Sequence, residues 1–98
     1  MYCKITKSYR DVVALCDKEL LGKIFFEKKF QLDVKESFYK GELVSHEQAL
    51  ALIEEMMAED ATFNIVGERA VQTAKEAGLI DDKAVGSIAG IPFALVLI

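Results

Sequence analysis

The chain has few of the residues that stabilise small domains through disulfides or bound metal ions. It contains two cysteines and one histidine, too few for a zinc site or a disulfide framework. Tryptophan is absent and proline occurs once. No apolar run approaches the roughly 18 residues that a membrane-spanning helix requires. The opening MYCKITKS also lacks the apolar core of a signal peptide. We therefore expect a cytoplasmic protein without membrane association, metal or cofactor.

The chain has enough apolar residues to build one core. Its hydrophobic fraction is 52%, which excludes a disordered chain. Ninety-eight residues correspond to one domain, and we assign residues 1–98 to it. A domain of this size can bury a single core without covalent or metal staples.

Charge is distributed unevenly along the chain. Residues 1–40 carry nine Lys or Arg and six Asp or Glu, whereas residues 41–98 carry three and ten. The two parts therefore hold charges of +3 and −7, which give the net −4. The acidic total argues against a protein coated with nucleic acid. The basic first part still allows a local cationic patch, and solvated strand faces are the alternative.

Two runs near the start predict an antiparallel hairpin. Residues 2–7 alternate apolar and polar side chains, and residues 12–16 are rich in valine. Pairing position 7 with position 12 places Cys3 directly opposite Cys16. Opposed residues have Cα atoms about 4.5–5.5 Å apart, which overlaps the disulfide range. In a reducing compartment we expect two buried thiols, with a redox-controlled bond as the alternative.

A candidate nucleic-acid interface lies in the basic part of the chain. Residues 17–22 fit a single helical turn, and residues 24–27 and 30–35 fit two strands around a turn at 27–29. Phe38 and Tyr39 follow beside Lys40, and exposed aromatics beside lysine can stack bases and meet phosphates. The alternative is that these aromatics close the edge of the core. The predicted RNA-contacting residues are Lys4, Arg10, Lys23, Lys35, Phe38, Tyr39 and Lys40.

The first long helix is predicted to begin at Ser45. Ser45 and Gln48 have the spacing of a capping box. Ala49, Leu50, Ile53, Met56 and Met57 form the apolar stripe that would be buried, and Glu47, Glu54, Glu55 and Glu59 would face water. We interpret His46, at the helix start, as a surface residue and not as a general base.

The stretch ATFNIVGERAVQTAKEAGL, residues 61–79, predicts a strand, a glycine turn and a helix that stops at Gly78. Such a turn exposes backbone N–H groups that can hold an anion. Asn64, Gly67, Glu68 and Arg69 are the candidate ligand-binding residues, with Arg69 neutralising the anion. The alternative is a tight connection that binds no ligand, because the phosphate-loop pattern of glycines and lysine is missing.

The final strand is predicted over residues 92–97, with Phe93, Leu95 and Leu97 on one face and Ala94, Val96 and Ile98 on the other. Both faces are apolar, so we expect the strand to be covered on both sides, or its outer part to meet a second subunit. Residues 85–89 fit either a helical turn or a strand. Strand 62–66, helix 68–77 and strand 92–97 form a predicted βαβ unit with a right-handed crossover. The predicted class is α+β, with an N-terminal antiparallel hairpin or meander followed by helix, strand, helix and strand.

Five segments together resemble a small archaeal family known as domain of unknown function 424. They are YCKI at the start, CDKELLGK around residues 17–23, ESFYKGELVS around 36–45, NIVGERAV at 64–71 and GIPFA at 90–94. The resemblance implies an archaeal cytosolic protein of α+β type and supplies no catalytic residues. It also implies an association with translation, because genes of the family are thought to lie near translation genes.

These observations favour a non-enzymatic module that binds RNA or a translation factor and that forms a homodimer through its last strand. DNA is not expected as a partner. The alternative is a protein that binds a small anion or phosphate, or an enzyme, acting at the turn from Asn64 to Glu68. No Ser–His–Asp set or Cys–His pair supports the enzyme.

Overall fold

The computed structural model describes residues 1–97 and contains a mixed sheet with layers on both faces. The strands are β1 Tyr2–Thr6, β2 Val12–Cys16, β3 Ile24–Glu27, β4 Phe30–Asp33, β5 Glu42–Leu43, β6 Thr62–Val66, β7 Gly86–Ile88 and β8 Ile91–Val96. The helices are α1 Glu36–Tyr39, α2 His46–Ala58 and α3 Glu68–Glu76. Six strands form one sheet in the order β5-β1-β2-β6-β8-β7, and β3 pairs only with β4. The predicted α+β class and order of elements are confirmed.

The centre of the main sheet joins two strands from different parts of the chain. β2 and β6 run parallel, and the connection between them carries β3, β4, α1, β5 and α2. β8 runs antiparallel to β6. The predicted βαβ unit, strand 62–66 with strand 92–97, is therefore wrong. The chain reverses once more through β7, which pairs antiparallel with β8 and delivers β8 in the opposite direction.

The two faces of the sheet are covered by different elements. One face packs under α2 and α3. Its central residues are fully buried, and they are Val13, Leu15, Phe63 and Ile65. On the other face, Ala14, Cys16 and Val66 are covered by α1 and by the β3–β4 pair; the covering residues include Leu20, Val34, Tyr39, Phe25 and Leu32. Helices α2 and α3 thus cover one side of the sheet, and α1 and the two-stranded element cover part of the other.

Local sequence signals set the boundaries of the helices. The Ser45 hydroxyl accepts the Gln48 N–H, and the Gln48 side chain accepts the Ser45 N–H, so the predicted capping box is confirmed. Ala49, Ile53 and Met56 are buried, as the apolar stripe predicted. α3 ends as predicted at Gly78, whose φ of 78° lets the Leu79 N–H reach the carbonyl of Ala74 at 3.0 Å, and this closes a Schellman motif.

The predicted pairing of the two cysteines is wrong by one residue. β1 and β2 do form the predicted hairpin, but Cys3 lies opposite Leu15, and Tyr2 lies opposite Cys16. A shift of one residue turns a side chain to the other face of a sheet. The two thiols are accordingly free and lie in separate cores. Burial, assisted by the charge of Glu42, raises the pKa of Cys3 to about 11. Burial and the Asp17 carboxylate raise the pKa of Cys16 to about 11.

The last strand is covered on one side only along its outer part. Ala94 is 3% exposed and lies in the core under α3, as predicted. Leu95 and Leu97, which share the other face, are 54% and 70% exposed, so the prediction of complete coverage is wrong there. The β3–β4 pair and α1 do not extend over this end of the sheet. Ile98 lies outside the described residues.

Candidate functional site

The most unusual surface belongs to the β3–β4 pair with its flanking lysines, residues 23–35, which we call the arm. Residues 26–31 are all exposed. Phe26 is 66% exposed and Phe30 is 63% exposed, although phenylalanine normally belongs in a core. The arm also carries four lysines, Lys23, Lys28, Lys29 and Lys35, against two carboxylates, Glu27 and Asp33. The arm therefore presents aromatic rings and positive charge together.

The base of the arm is held firmly to the rest of the molecule. The Val34 N–H donates to the carbonyl of Lys23 at 2.9 Å, and the Gly22 N–H donates to the carbonyl of Val34 at 2.7 Å. Farther along, the Glu27 carboxylate accepts the Ala89 N–H at 2.8 Å. The arm also contacts β7. These contacts hold the arm to the rest of the molecule from its base to the residue before its turn, and the two turn residues, Lys28 and Lys29, stay exposed.

Two lysines form the turn of the arm. Glu27 pairs with Phe30, so the loop consists of Lys28 and Lys29 alone. Lys28 has φ of 55°, in the left-handed region. Two-residue hairpin turns that need positive φ strongly favour Asn-Gly or Asp-Gly, because the side chains of other residues clash there. The sequence thus places adjacent positive charges where turn stability alone would select different residues.

The predicted nucleic-acid residues are only partly brought together. Lys23 and Lys35 flank the base of the arm, and Lys35 lies 4.0 Å from Asp33. The Lys4 ammonium donates to the carbonyl of Ser37 at 2.7 Å, on the same side of the sheet. Lys40 is exposed directly after α1. Arg10, by contrast, lies in the turn before β2, whereas the arm follows the end of β2, so these two sites are separated by the length of that strand.

The aromatic pair proposed for base stacking is largely occupied by the core. Tyr39 is 6% exposed, and its ring meets that of Phe38 edge-on with centroids 5.0 Å apart. Burial raises the pKa of Tyr39 to about 12, with further contributions from Cys16 and Asp33. Tyr39 therefore offers no free ring face, and the alternative interpretation, that these residues close the core, describes it better. Phe38 is half-buried.

The predicted anion-binding turn is filled by a carboxylate of the chain itself. Asp17, 3% exposed, follows β2 and accepts the N–H of Ala70 at 2.8 Å and that of Arg69 at 3.1 Å. Its charge lies at the positive end of the α3 dipole. Gly67 has φ of 109°, and a Cβ there would lie 2.3 Å from Cγ of Asp17. The close approach of Asp17 therefore explains this glycine, and the two N–H groups are not available to an external anion.

The four residues predicted for a ligand do not form one site. Glu68 and Arg69 line an open depression of about 470 Å³ together with His46. Asn64 occupies the opposite face of the sheet, aligned with Leu95. His46 is a surface residue as predicted, with a side chain 48% exposed. Its Nε2 lies 2.7 Å from the Glu76 carboxylate, and its Nδ1 lies 3.1 Å from the Thr73 hydroxyl, so the ring links the two long helices.

Sequence reasoning missed the exposed residues of the arm. Ile24, Phe26 and Phe30 fit buried strand positions equally well, and the two lysines between the strands were assigned only to a turn. The segment IFFEKKF combines three phenylalanines with two adjacent lysines, and this combination could have indicated an exposed interaction surface.

The described part of the chain has neither a metal-binding cluster nor a membrane-spanning helix. Within residues 1–97, no group of three His, Cys, Asp or Glu side chains is arranged to hold a metal ion. No helix in this part of the chain is long and apolar enough to cross a membrane.

The fold and the arm define a small α+β protein with a mixed sheet, two long helices on one face and a basic two-stranded element packed on the other. The chain belongs to the family described as protein of unknown function (DUF424), whose model matches residues 5–98. The resemblance noted from the sequence is thereby confirmed. A crystal structure of an uncharacterized conserved protein from Methanopyrus kandleri is similar, with a TM-score of 0.87 and 29% identity over 97% of this chain and 88% of that one. No curated protein matches the sequence.

Proposed function

We propose that this protein is a non-enzymatic RNA-binding module and that the arm is its binding element. The observation that supports the proposal is the exposure of Phe26 and Phe30 on an element that also carries four lysines. Aromatic rings provide stacking platforms for bases, and lysines contact the phosphates between them. The RNA partner is therefore recognised through stacking and charge together.

The stability of the fold gives no reason for these exposed rings. A two-stranded element is marginal by itself and gains stability by burying its apolar side chains. Phe25 and Leu32 do this against the core, but Phe26 and Phe30 do not. Large exposed apolar groups rimmed by polar residues mark interaction surfaces.

The strained turn supports the same interpretation. A left-handed conformation costs an ordinary residue about 1–2 kcal/mol. Lys28 adopts it next to Lys29 at the end of the arm. The same conformation occurs at Asp60 and Ala89 outside the arm, so it is its combination with adjacent positive charges that distinguishes this turn. Here the departure places two positive charges side by side in an exposed turn.

The positive charge of the arm is least neutralised at its turn. Among residues 1–97, neither Lys28 nor Lys29 forms an ion pair. The acidic side chains Glu47, Glu54, Glu55 and Glu59 are carried by α2, which covers the opposite face of the sheet. The excess of negative charge thus lies away from the arm, and a polyanion can approach it.

Salt dependence tests the electrostatic part of the proposal. Binding of a short fluorescein-labelled RNA stem-loop is measured by anisotropy over a series of salt concentrations. Each phosphate contact contributes about −0.7 to −0.9 to the slope of log K against log salt. Replacing both turn lysines, Lys28→Ser with Lys29→Ser, is expected to reduce the magnitude of the slope by about 1.4–1.8. The matched control, Lys7→Ser with Lys83→Ser, removes equal charge elsewhere and is expected to leave the slope unchanged.

Substitution of the rings tests the stacking part. Phe26→Ser with Phe30→Ser is expected to weaken RNA binding by about 1–3 kcal/mol for each base that is no longer stacked. Tyr9→Ser with Leu43→Ser removes two large exposed side chains outside the arm and serves as the control. Equal losses in both double variants, or binding that is insensitive to salt, would rule out the arm as the RNA site.

The turn from Asn64 to Glu68 is the less favoured candidate. An anion there would have to displace the Asp17 carboxylate, which is buried and already bonded to two N–H groups. Proposals of an anion-binding protein or an enzyme at this turn therefore have less support than the arm.

A further inference from the structure

The strand register of the arm determines which side chains share each of its two faces. Directly opposed residues of an antiparallel pair lie on the same face, and successive residues along a strand alternate between faces. One face carries Ile24, Phe26, Gln31 and Asp33. The other face carries Phe25, Glu27, Phe30 and Leu32.

The second of these faces lies against the body of the protein. Phe25 and Leu32 pack on the core that α1 helps to cover, and the Glu27 carboxylate accepts the Ala89 N–H at 2.8 Å. The first face therefore points away from the body, and Phe26, on this face, is 66% exposed. We call the face formed by Ile24, Phe26, Gln31 and Asp33 the outer face of the arm.

The outer face combines an aromatic ring with groups that suit the rest of a nucleotide. Ile24 lies two positions from Phe26 on the same strand, about 7 Å away, and extends the apolar surface. Gln31 lies directly across the pair from Phe26, at a Cβ separation of about 5 Å. The Gln31 amide both donates and accepts hydrogen bonds, so it can contact the edge of a stacked base or the 2′-hydroxyl of its ribose.

Positive charge lies at both ends of the outer face. Lys23 and Lys35 flank its base and Lys28 and Lys29 form the turn, and all four are exposed. Each strand between these ends has four residues and is about 13 Å long. The Lys35 Nζ lies 4.0 Å from the carboxylate of Asp33, which offsets the one negative charge of this face. Phosphates on either side of a stacked nucleotide can therefore both meet ammonium groups.

We infer that a single-stranded RNA lies along the outer face of the arm, with one unpaired base stacked on Phe26 and the flanking phosphates on the lysines at the two ends. This inference rests on the proposed RNA-binding function and specifies the class of RNA.

Paired RNA fits the outer face less well. In a duplex the bases stack on one another, and the deep groove of A-form RNA is too narrow for side chains to read. A duplex would therefore contact the lysines and leave the ring of Phe26 without a partner. Unpaired bases expose their faces, and aromatic side chains stack on them in a way that tolerates every base.

The test compares fluorescein-labelled probes by anisotropy. They are an unstructured single-stranded RNA, a blunt RNA duplex with the same total number of phosphates, and a DNA strand of the same sequence as the single-stranded RNA. We expect the single-stranded RNA to bind about tenfold more tightly than the duplex, which is the effect of one stacked base. The DNA strand should bind about threefold more weakly than the RNA, because it lacks the hydroxyl that Gln31 can contact. Gln31→Leu is expected to abolish this difference.

The two exposed rings of the arm provide a matched pair of variants. Phe26→Ser is expected to lower affinity for the single-stranded RNA about tenfold and affinity for the duplex less than about twofold. Phe26→Tyr keeps an aromatic ring and should bind the single strand within about twofold of the native protein. The control is Phe30→Ser, which removes a ring of similar exposure, 63%, from the face that lies against the body. It should change affinity for the single strand less than about twofold.

A second readout reports stacking directly. A single-stranded RNA that carries the fluorescent base 2-aminopurine is expected to change its emission on binding to the native protein and to Phe30→Ser. The change should be smaller on binding to Phe26→Ser at saturating protein. The variant Lys28→Ser with Lys29→Ser is expected to weaken binding of the single strand and the duplex alike, because it removes phosphate contacts only.

The outcomes separate this inference from the proposed function. Equal or tighter binding of the duplex, or equal losses for Phe26→Ser and Phe30→Ser, would overturn a single strand on the outer face. RNA binding through the arm would stand in both cases if the lysine variant still weakened it. Equal or tighter binding of the DNA strand would overturn both proposals. RNA binding that neither the lysine variant nor Phe26→Ser weakens, or no binding of RNA, would also overturn both.

Discussion

The Asp17 carboxylate caps the start of α3 by accepting the Ala70 N–H at 2.8 Å, although 53 positions separate these two residues in the sequence. A helix usually takes such a cap from the residue that immediately precedes it. Here that position is Gly67, which has no side chain to contribute. The cap therefore links the end of β2 to α3 and connects the two parts of the chain.

Removal of this cap is expected to be costly. Asp17→Ala leaves the N–H groups of Arg69 and Ala70 without an acceptor, so the free energy of unfolding should fall by about 2 kcal/mol. Asp17→Asn retains one acceptor oxygen and should lose about half as much. Asp81→Ala, which removes the exposed carboxylate that accepts the Lys83 N–H, is the control. A urea titration that placed Asp17→Ala level with this control would contradict the role of the cap.

Alkaline pH is expected to destabilise the protein through its buried thiols. The pKa values of Cys3 and Cys16 are raised from 9.0 to about 11 in the folded state. Between these values the unfolded chain releases protons that the folded chain retains, so stability falls as pH rises. Each thiol contributes about 2–3 kcal/mol over this window.

The comparison is with a variant that lacks both thiols. Cys3→Ala with Cys16→Ala should show a shallower fall in the free energy of unfolding from pH 9 to 11, with Tyr39 continuing to contribute above its ordinary pKa. Parallel pH profiles for the two proteins would exclude the thiols as the cause.

Two positions outside the arm are expected to gain stability from glycine. Asp60 ends α2 with φ of 56°, and Ala89 lies in the β7–β8 turn with φ of 53°. Asp60→Gly and Ala89→Gly should each raise the free energy of unfolding by about 0.5–1 kcal/mol by removing a left-handed side chain. Ala51→Gly, at an exposed position inside α2, should have the opposite sign and cost about 1 kcal/mol. Thermal unfolding of the three variants checks both signs.

The proposed homodimer depends on the uncovered end of β8. Leu95 and Leu97 expose 54% and 70% of their surface on one face. If a second copy covers them, light scattering at micromolar concentration should give the mass of a dimer for the native protein and of a monomer for Leu95→Ser with Leu97→Ser. Leu43→Ser, at an exposed edge position, should remain dimeric. A native protein that is monomeric under these conditions would exclude this contact.

The sequence was most informative where structure depends on near neighbours. Ser45 and Gln48 identified the start of α2 because both halves of the capping box lie within one turn. Gly67 and Gly78 bounded α3 for a similar reason, since each adopts a positive φ that glycine tolerates best.

The sequence was least informative where partners are distant. The cap from Asp17 and the parallel pairing of β2 with β6 leave no local signal. The direction of β8 depends on β7, whose turn contains Ala89 in place of the usual Asn or Asp. The register error at Cys3 followed from a loop whose length allows two neighbouring pairings. The exposure of Phe26 could not be predicted, because β3 has apolar residues on both faces and such a strand is normally buried.

The parallel contact of β2 with β6 affects how the molecule is made. A ribosome releases Val13 and Leu15 long before their partners Phe63 and Ile65. Until β6 emerges, the β2 edge of the nascent hairpin has unpaired backbone N–H and C=O groups, and its apolar face is exposed to water. Distant pairings of this kind also close slowly. Shortened products that stop before residue 62 consequently cannot complete the sheet, and they are the species that chaperones and proteases encounter.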